Sequence, residues 1–286
     1  MNTLNRVTTA VFDTILGPIA GLGALWVVTL VGALFVVPAL VLFKHISWQR
    51  GIKGAKERIK GHLIAIRIYQ DDLAVVASSV GRILVRNTQY LGLNFGPLLP
   101  LLPPFTLVVA QLATRYGFEP LAVETRPAAE LRMGDGTMLE VRFAPGRLAE
   151  AGGLVVELPA GLEAITPLVR SPGAGVAFQE VVARQVGDWT VTLRTGTGEV
   201  QTKRVVVGVA PTGAFQPERV RSFWAAWLWP AEPMLPADSA FERIAIAYPE
   251  RPLPFSPGGP IGVMIVFFLA SVVSGVVVLK AFRIQI

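Results

Sequence analysis

The chain has two imidazoles, His45 and His62, and no cysteine. Thiolate catalysis, disulfides, iron–sulfur clusters, cysteine-ligated zinc and c-type haem attachment are therefore excluded. Asp71-Asp72 has the form of a metal pair, yet its place between two helical periodicities fits an N-cap better. His45 stands at the end of an apolar run, where it could ligate a pigment or haem; a solvated interfacial imidazole is the simpler reading. The turns Gly134-Asp135-Gly136 and Gly196-Thr197-Gly198 lack the strand–loop–helix setting of a phosphate cradle. Glu157, Glu163 and Glu180 read as solvent-facing charges. No catalytic residues, cofactor site or metal site are expected, and the chain reads as a non-enzyme.

The elements that carry these few polar groups belong to an apolar chain. Of its 286 residues 52% are hydrophobic and 16% charged, against about 25% charged in soluble domains. Three uncharged runs, 14–43, 87–114 and 252–279, exceed the length of a bilayer crossing, with apolar cores near 22–43, 91–113 and 260–280. The first run is too long for a cleavable signal and follows an amphipathic lead-in over 4–15.

Charge orients the spans. Residues 44–86 hold nine basic and three acidic groups, a surplus of six that equals the whole net charge. The positive-inside rule makes this loop cytoplasmic, with the N-terminus and 115–251 outside and Lys280 and Arg283 inside. The expected location is the inner membrane of a bacterium, with a periplasmic β-domain. Apolar steps through Ile52, Ala55, Ile59, Leu63 and Ile66, then Leu73, Val76, Val80 and Ile83, predict a helical hairpin turning near 69–72. Its basic face, Lys53, Lys56, Arg58, Lys60 and Arg67, either sets topology and stays solvated, or docks on anionic lipid, a partner's inner face or ribosomal RNA. DNA is not an expected partner.

Outside, the apolar period changes to two. Strands are expected at 121–125, 129–133, 139–143, 154–158, 165–170, 176–183, 189–194 and 200–207, separated by glycine turns. This pattern reads as an immunoglobulin-like β-sandwich with Trp189 as a core anchor. Val220, Phe223, Trp224, Trp227 and Leu228 then predict an amphipathic helix stopped by Pro230. With Trp229 it either lies in the headgroup layer or plugs the base of the sandwich. A further strand is expected within 241–248.

The fold class is thus membrane α + β. Residues 1–43 form an interfacial helix and the first span, 44–86 the basic hairpin, and 87–114 the second span. The β-sandwich takes 115–210, the Trp-rich helix and linker 211–258, and the third span with its tail 259–286. Pro97, Pro100, Pro103 and Pro104 should kink the second span. Gly17 with Gly21, and Ser271 with Gly275, offer small surfaces for helix packing. Asn94, Gln111, Ser271 and Ser274 supply the intramembrane hydrogen-bonding groups.

One span, a basic cytoplasmic hairpin over 53–86 and a proline-rich second span resemble the core of the YidC/Oxa-type insertase superfamily. The resemblance covers about 120 residues of layout. It implies insertase or membrane-chaperone activity through a polar groove for a client helix, near Asn94 and Gln111. Residues 22–43 contain no basic residue like that of the bacterial members. The leading expectation is a non-catalytic accessory subunit, packed on other integral membrane subunits of a respiratory or photosynthetic type of complex and on lipid. Insertase activity is the alternative, and an outer-domain receptor the third reading.

Overall fold

The computed structural model describes residues 2–208 and 213–282; Arg283 and the expected domain boundary at 210–211 lie outside the described residues. The chain mixes helix and sheet and divides into two compact units. The first runs to Val31 and resumes over Leu107–Leu269; the second is Gly32–Thr106 with the residues from Ala270 on.

Among the described residues three helices are long and apolar enough to cross a membrane. Two are continuous: α2, Ala24–Ile46, and α7, Gly259–Phe282. The third is interrupted. Helix α4, Leu73–Phe95, passes into a 3₁₀ segment, Gly96–Leu101, before α5, Leu102–Tyr116. Proline explains the break: Pro97 and Pro100 lack the N–H that an α-helix needs, whereas Pro103 and Pro104 stand in the first turn of α5, where no intrahelical donor is required.

In the second unit, α3, Gln49–Ile68, packs against α4. Asp72 caps α4, its Oδ1 accepting from the amides of Ala74 (3.0 Å) and Val75 (3.1 Å). The hairpin interior takes Ile52 and Ala55, with Ile59, Ile66, Val76 and Ile83 half-buried. Leu63, Leu73 and Val80, expected on the same stripes, are exposed. The two helices meet along one narrow seam and cannot cover both stripes.

The first unit opens with α1, Asn2–Leu16, and a 3₁₀ segment, Gly17–Leu22. Among the described residues its strands are β1 (Thr137–Phe143), β2 (Val155–Glu157), β3 (Leu162–Ala164), β4 (Val169–Ser171), β5 (Val176–Ala183), β6 (Gly187–Arg194), β7 (Val200–Val207), β8 (Glu218–Val220) and β9 (Phe241–Ile246). One sheet runs β3-β5-β1-β9-β8, with β4 also on β5; the other runs β2-β6-β7. Alternation buries Leu139, Val141 and Phe143 of β1 beside Phe241, Ile244 and Ile246 of β9. They share one core with Val191, Leu193, Val205 and Val207 of the smaller sheet. Each such side chain contributes about 1.5–3 kcal/mol on burial.

Several expectations are corrected. Residues 129–133 form no strand: Ala128–Glu130 make a 3₁₀ turn behind Pro127. Residues 121–125 contribute only single bridges, Leu121 to Val207 and Val123 to Ala183, both parallel. Val220 belongs to β8, paired with Arg243, so the Trp-bearing helix α6 is only Phe223–Leu228. Trp189 packs on the core from its margin, against Gly161, where a Cβ would fall 2.0 Å from the indole.

Candidate functional site

Within the first unit, polar side chains gather where α1 meets α5. Gln111 is fully buried, and its amide donates to the hydroxyls of Thr8 (3.2 Å) and Thr9 (3.1 Å). Arg115, one turn on, donates to the Gln111 carboxamide oxygen, to the Gln111 carbonyl (3.0 Å), to the Thr9 carbonyl (3.0 Å) and to Asp13 (2.6 Å). Its guanidinium lies 5.8 Å from the Phe12 ring centroid. The Gln111 side chain is fully buried and binds α1.

The remaining contacts of α1 reach the Trp-bearing segment. Asn5 is buried and donates to the Ala226 carbonyl (3.1 Å), Thr9 donates to that of Pro230 (3.4 Å), and Asn2 accepts from the Met234 amide (2.8 Å). A cavity of about 550 Å³ lies between α1 and residues 230–233, lined by Asn5, Arg6, Thr9, Asp13 and Glu232 among others. Of the four aromatics, Phe223 and Trp224 are exposed and stack edge to face at 5.3 Å, and Trp227 is half-buried. Trp229 turns inward, its ring 5.9 Å from that of Phe118 at the edge of the core.

The helix-packing residues divide. In the second unit, Ser271 Oγ donates to the Gly32 carbonyl (2.9 Å) and Ser274 Oγ to that of Ala33 (2.8 Å), binding α7 to α2. Gly275 serves the same contact, since a Cβ there would sit 3.2 Å from Val36. Asn94 instead donates to the Tyr90 carbonyl (2.7 Å) of its own helix. Gly17 and Gly21 have no heavy atom within 4 Å of an added Cβ. They lie in the 3₁₀ segment, whose three residues per turn take positions four apart off one face.

On the hairpin, Lys53, Lys56, Arg58, Lys60 and Arg67 are all exposed. So are Leu63, Ile64, Ile68, Leu73, Leu84 and Val85, Leu73 at 81%.

Two buried carboxylates escaped the sequence reading. Glu180 faces inward, its Oε1 accepting from the amides of Gly134 (2.7 Å) and Gly136 (2.8 Å), so it clasps the glycine turn. Glu232 pairs with the fully buried Lys203, whose Nζ also donates to the carbonyls of Arg204 (3.0 Å) and Gln216 (2.9 Å). Burial pushes the Lys203 ammonium below its usual range, against the pull of Glu232. With three acceptors around it this amine is a structural tie, and no alternation pattern marks it, because its partner is remote in sequence. Among the described residues no group of three His, Asp or Glu is placed to hold a metal ion. No protein-family model, curated protein or solved structure matches the chain.

Proposed function

We propose that this protein is a non-catalytic subunit of a larger membrane assembly, binding apolar helices of other membrane proteins along its spans and hairpin. One observation carries the reading: the chain leaves most of its apolar helical surface uncovered. Only 17%, 11% and 22% of the three spanning windows are buried within the fold. Lipid satisfies such surface in part, but the polar ties Ser271–Gly32 and Ser274–Ala33 are of the kind that fix one helix against another.

The positive-inside argument favours a bacterial inner membrane, with the hairpin cytoplasmic and the β-domain periplasmic. An immunoglobulin-like assignment draws support from strand order. Matching β1, β2, β5, β6 and β7 to strands B, C, E, F and G yields sheets D-E-B-A and C-F-G, with β3 and β4 as D. The A position is taken by the late strand β9. Such a domain suits covering a partner's outer surface. Purification in a gentle detergent with mass spectrometry tests the proposal. A fixed set of co-purifying chains is expected, and a monomer with no companions would overturn it.

A second reading, a YidC/Oxa-like insertase or chaperone, is favoured by the hairpin. Leu63, Ile64, Ile68, Leu73, Leu84 and Val85 are exposed on a segment that charge assigns to the cytoplasm, where no lipid tails cover them. A photo-crosslinker at Leu84 separates the readings. Capture of many nascent membrane proteins supports the insertase, and capture of one fixed subunit supports the scaffold.

A further inference from the structure

We propose that α1 and α6 together form a platform that seats the β-domain on the lipid surface of the leaflet from which α2 enters the membrane. The proposal rests on α2 being a membrane span. A surface helix of a water-soluble domain turns its apolar stripe to the core and its polar face to water. Helix α1 does the reverse. Leu4, Val7, Val11 and Ile15 recur at steps of three and four and are 42–59% exposed. Asn2, Asn5, Thr8, Thr9 and Asp13 instead bond to the protein, to Met234, Ala226, Gln111, Pro230 and Arg115 respectively. With these polar groups used inward and Arg6 placed on the cavity side, the stripe of Leu4, Val7, Val11 and Ile15 left outside is apolar.

Helix α6 repeats the arrangement. The Asn5–Ala226 bond joins it to α1, Ala226 is buried, and Phe223, Trp224 and Leu228 remain outside. A second protein could cover these faces, but continuity of the chain selects lipid. From Leu16 a 3₁₀ segment of six residues and Gly23 lead directly into the apolar helix Ala24–Phe43, so α1 ends at the bilayer boundary. The outward stripe carries no ionised side chain, and Phe and Trp are residues that settle at headgroup depth. A helix that presents such a face lies in the interface with its stripe about 5–10 Å deep.

Because the chain contains no cysteine, single spin labels can be placed without background. Full-length protein carrying Val7→Cys, Val11→Cys or Trp224→Cys is labelled and reconstituted into phosphatidylcholine vesicles, with Val276→Cys in α7 as reference. Relaxation by oxygen should exceed relaxation by a water-soluble nickel chelate at 7, 11 and 224, at a shallower depth than at 276. Chelate dominating at 7, 11 and 224 while 276 stays in lipid would overturn the platform and leave the membrane reading standing. Low access to both reagents at the three sites would overturn it in favour of protein cover. Chelate dominating at 276 as well would remove the membrane reading on which the platform rests.

Discussion

Arg115 Nη2 lies 2.6 Å from Asp13 Oδ1, joining the end of α5 to a helix 102 positions earlier. The Arg115 side chain is 4% exposed and that of Asp13 is 42% exposed, so the two ends of the pair are not equivalent. Arg115→Met removes charged hydrogen bonds to Asp13 and to the Gln111 and Thr9 carbonyls, and should cost about 2–3 kcal/mol. Asp13→Asn, at a half-exposed site, should cost ~1 kcal/mol or less. Thermal unfolding in detergent, with protease access to the N-terminal segment, checks this. Equal losses from both variants would contradict the asymmetry.

Lys203 and Glu232 lie in the first unit, both buried. Glu232→Ala leaves an ammonium without its counter-charge and should destabilise by about 3–5 kcal/mol. Lys203→Met combined with Glu232→Leu should recover most of that loss, because both desolvation costs disappear together. Burial lowers the Lys203 pKa below 10.5, so the unfolded chain binds more protons as pH approaches that value. Its contribution to stability therefore rises with pH in that window, a slope that Lys203→Met should abolish in denaturant titrations.

Glu199 contributes on the acid side. Burial would raise its pKa, but hydrogen bonds from the Ser239 hydroxyl (2.5 Å), the Ala240 amide (2.8 Å) and the Gln201 amide hold it below 4.5. A depressed carboxylate pKa gives stability that is present above 4.5 and lost as pH falls through the folded value. The melting temperature of the wild type should drop toward that of Glu199→Gln below that point. A constant gap between the two down to strong acid would assign the effect to packing.

Asp72→Ala removes the side-chain acceptor for Ala74 and Val75 and should cost about 1 kcal/mol. Amide exchange at 74 and 75 should accelerate, while that of β1 and β7 stays unchanged. Asp72→Asn should restore most of the protection, which distinguishes the cap from a general charge effect.

What the sequence made legible is local. Period-two alternation located β5 and β7 at 176–183 and 200–207, because each strand buries one face on a shared core. The pair Asp71-Asp72 marked the hairpin turn because a cap acts within three residues. What stayed hidden depends on distance. Val220 matched a helical period, but β9 takes it as strand. Gly17 and Gly21 matched a packing motif, but they fall in a 3₁₀ segment, where positions four apart leave one face. Periodicity revealed that α1 is amphipathic without telling which face meets protein, since that was decided by Ala226, Pro230 and Arg115, 106 to 221 residues away.

The same long-range bonds impose an order of events in the cell. Asn2 is fastened by the Met234 amide, 232 residues downstream. At synthesis rates of about 5–20 residues per second, roughly 10–50 s separate the two. Helix α1 therefore waits beside a growing chain with Asn2 and Asn5 still without their protein partners. Its docking is a late event of maturation, because the segment that secures Asn2 is translated long after it.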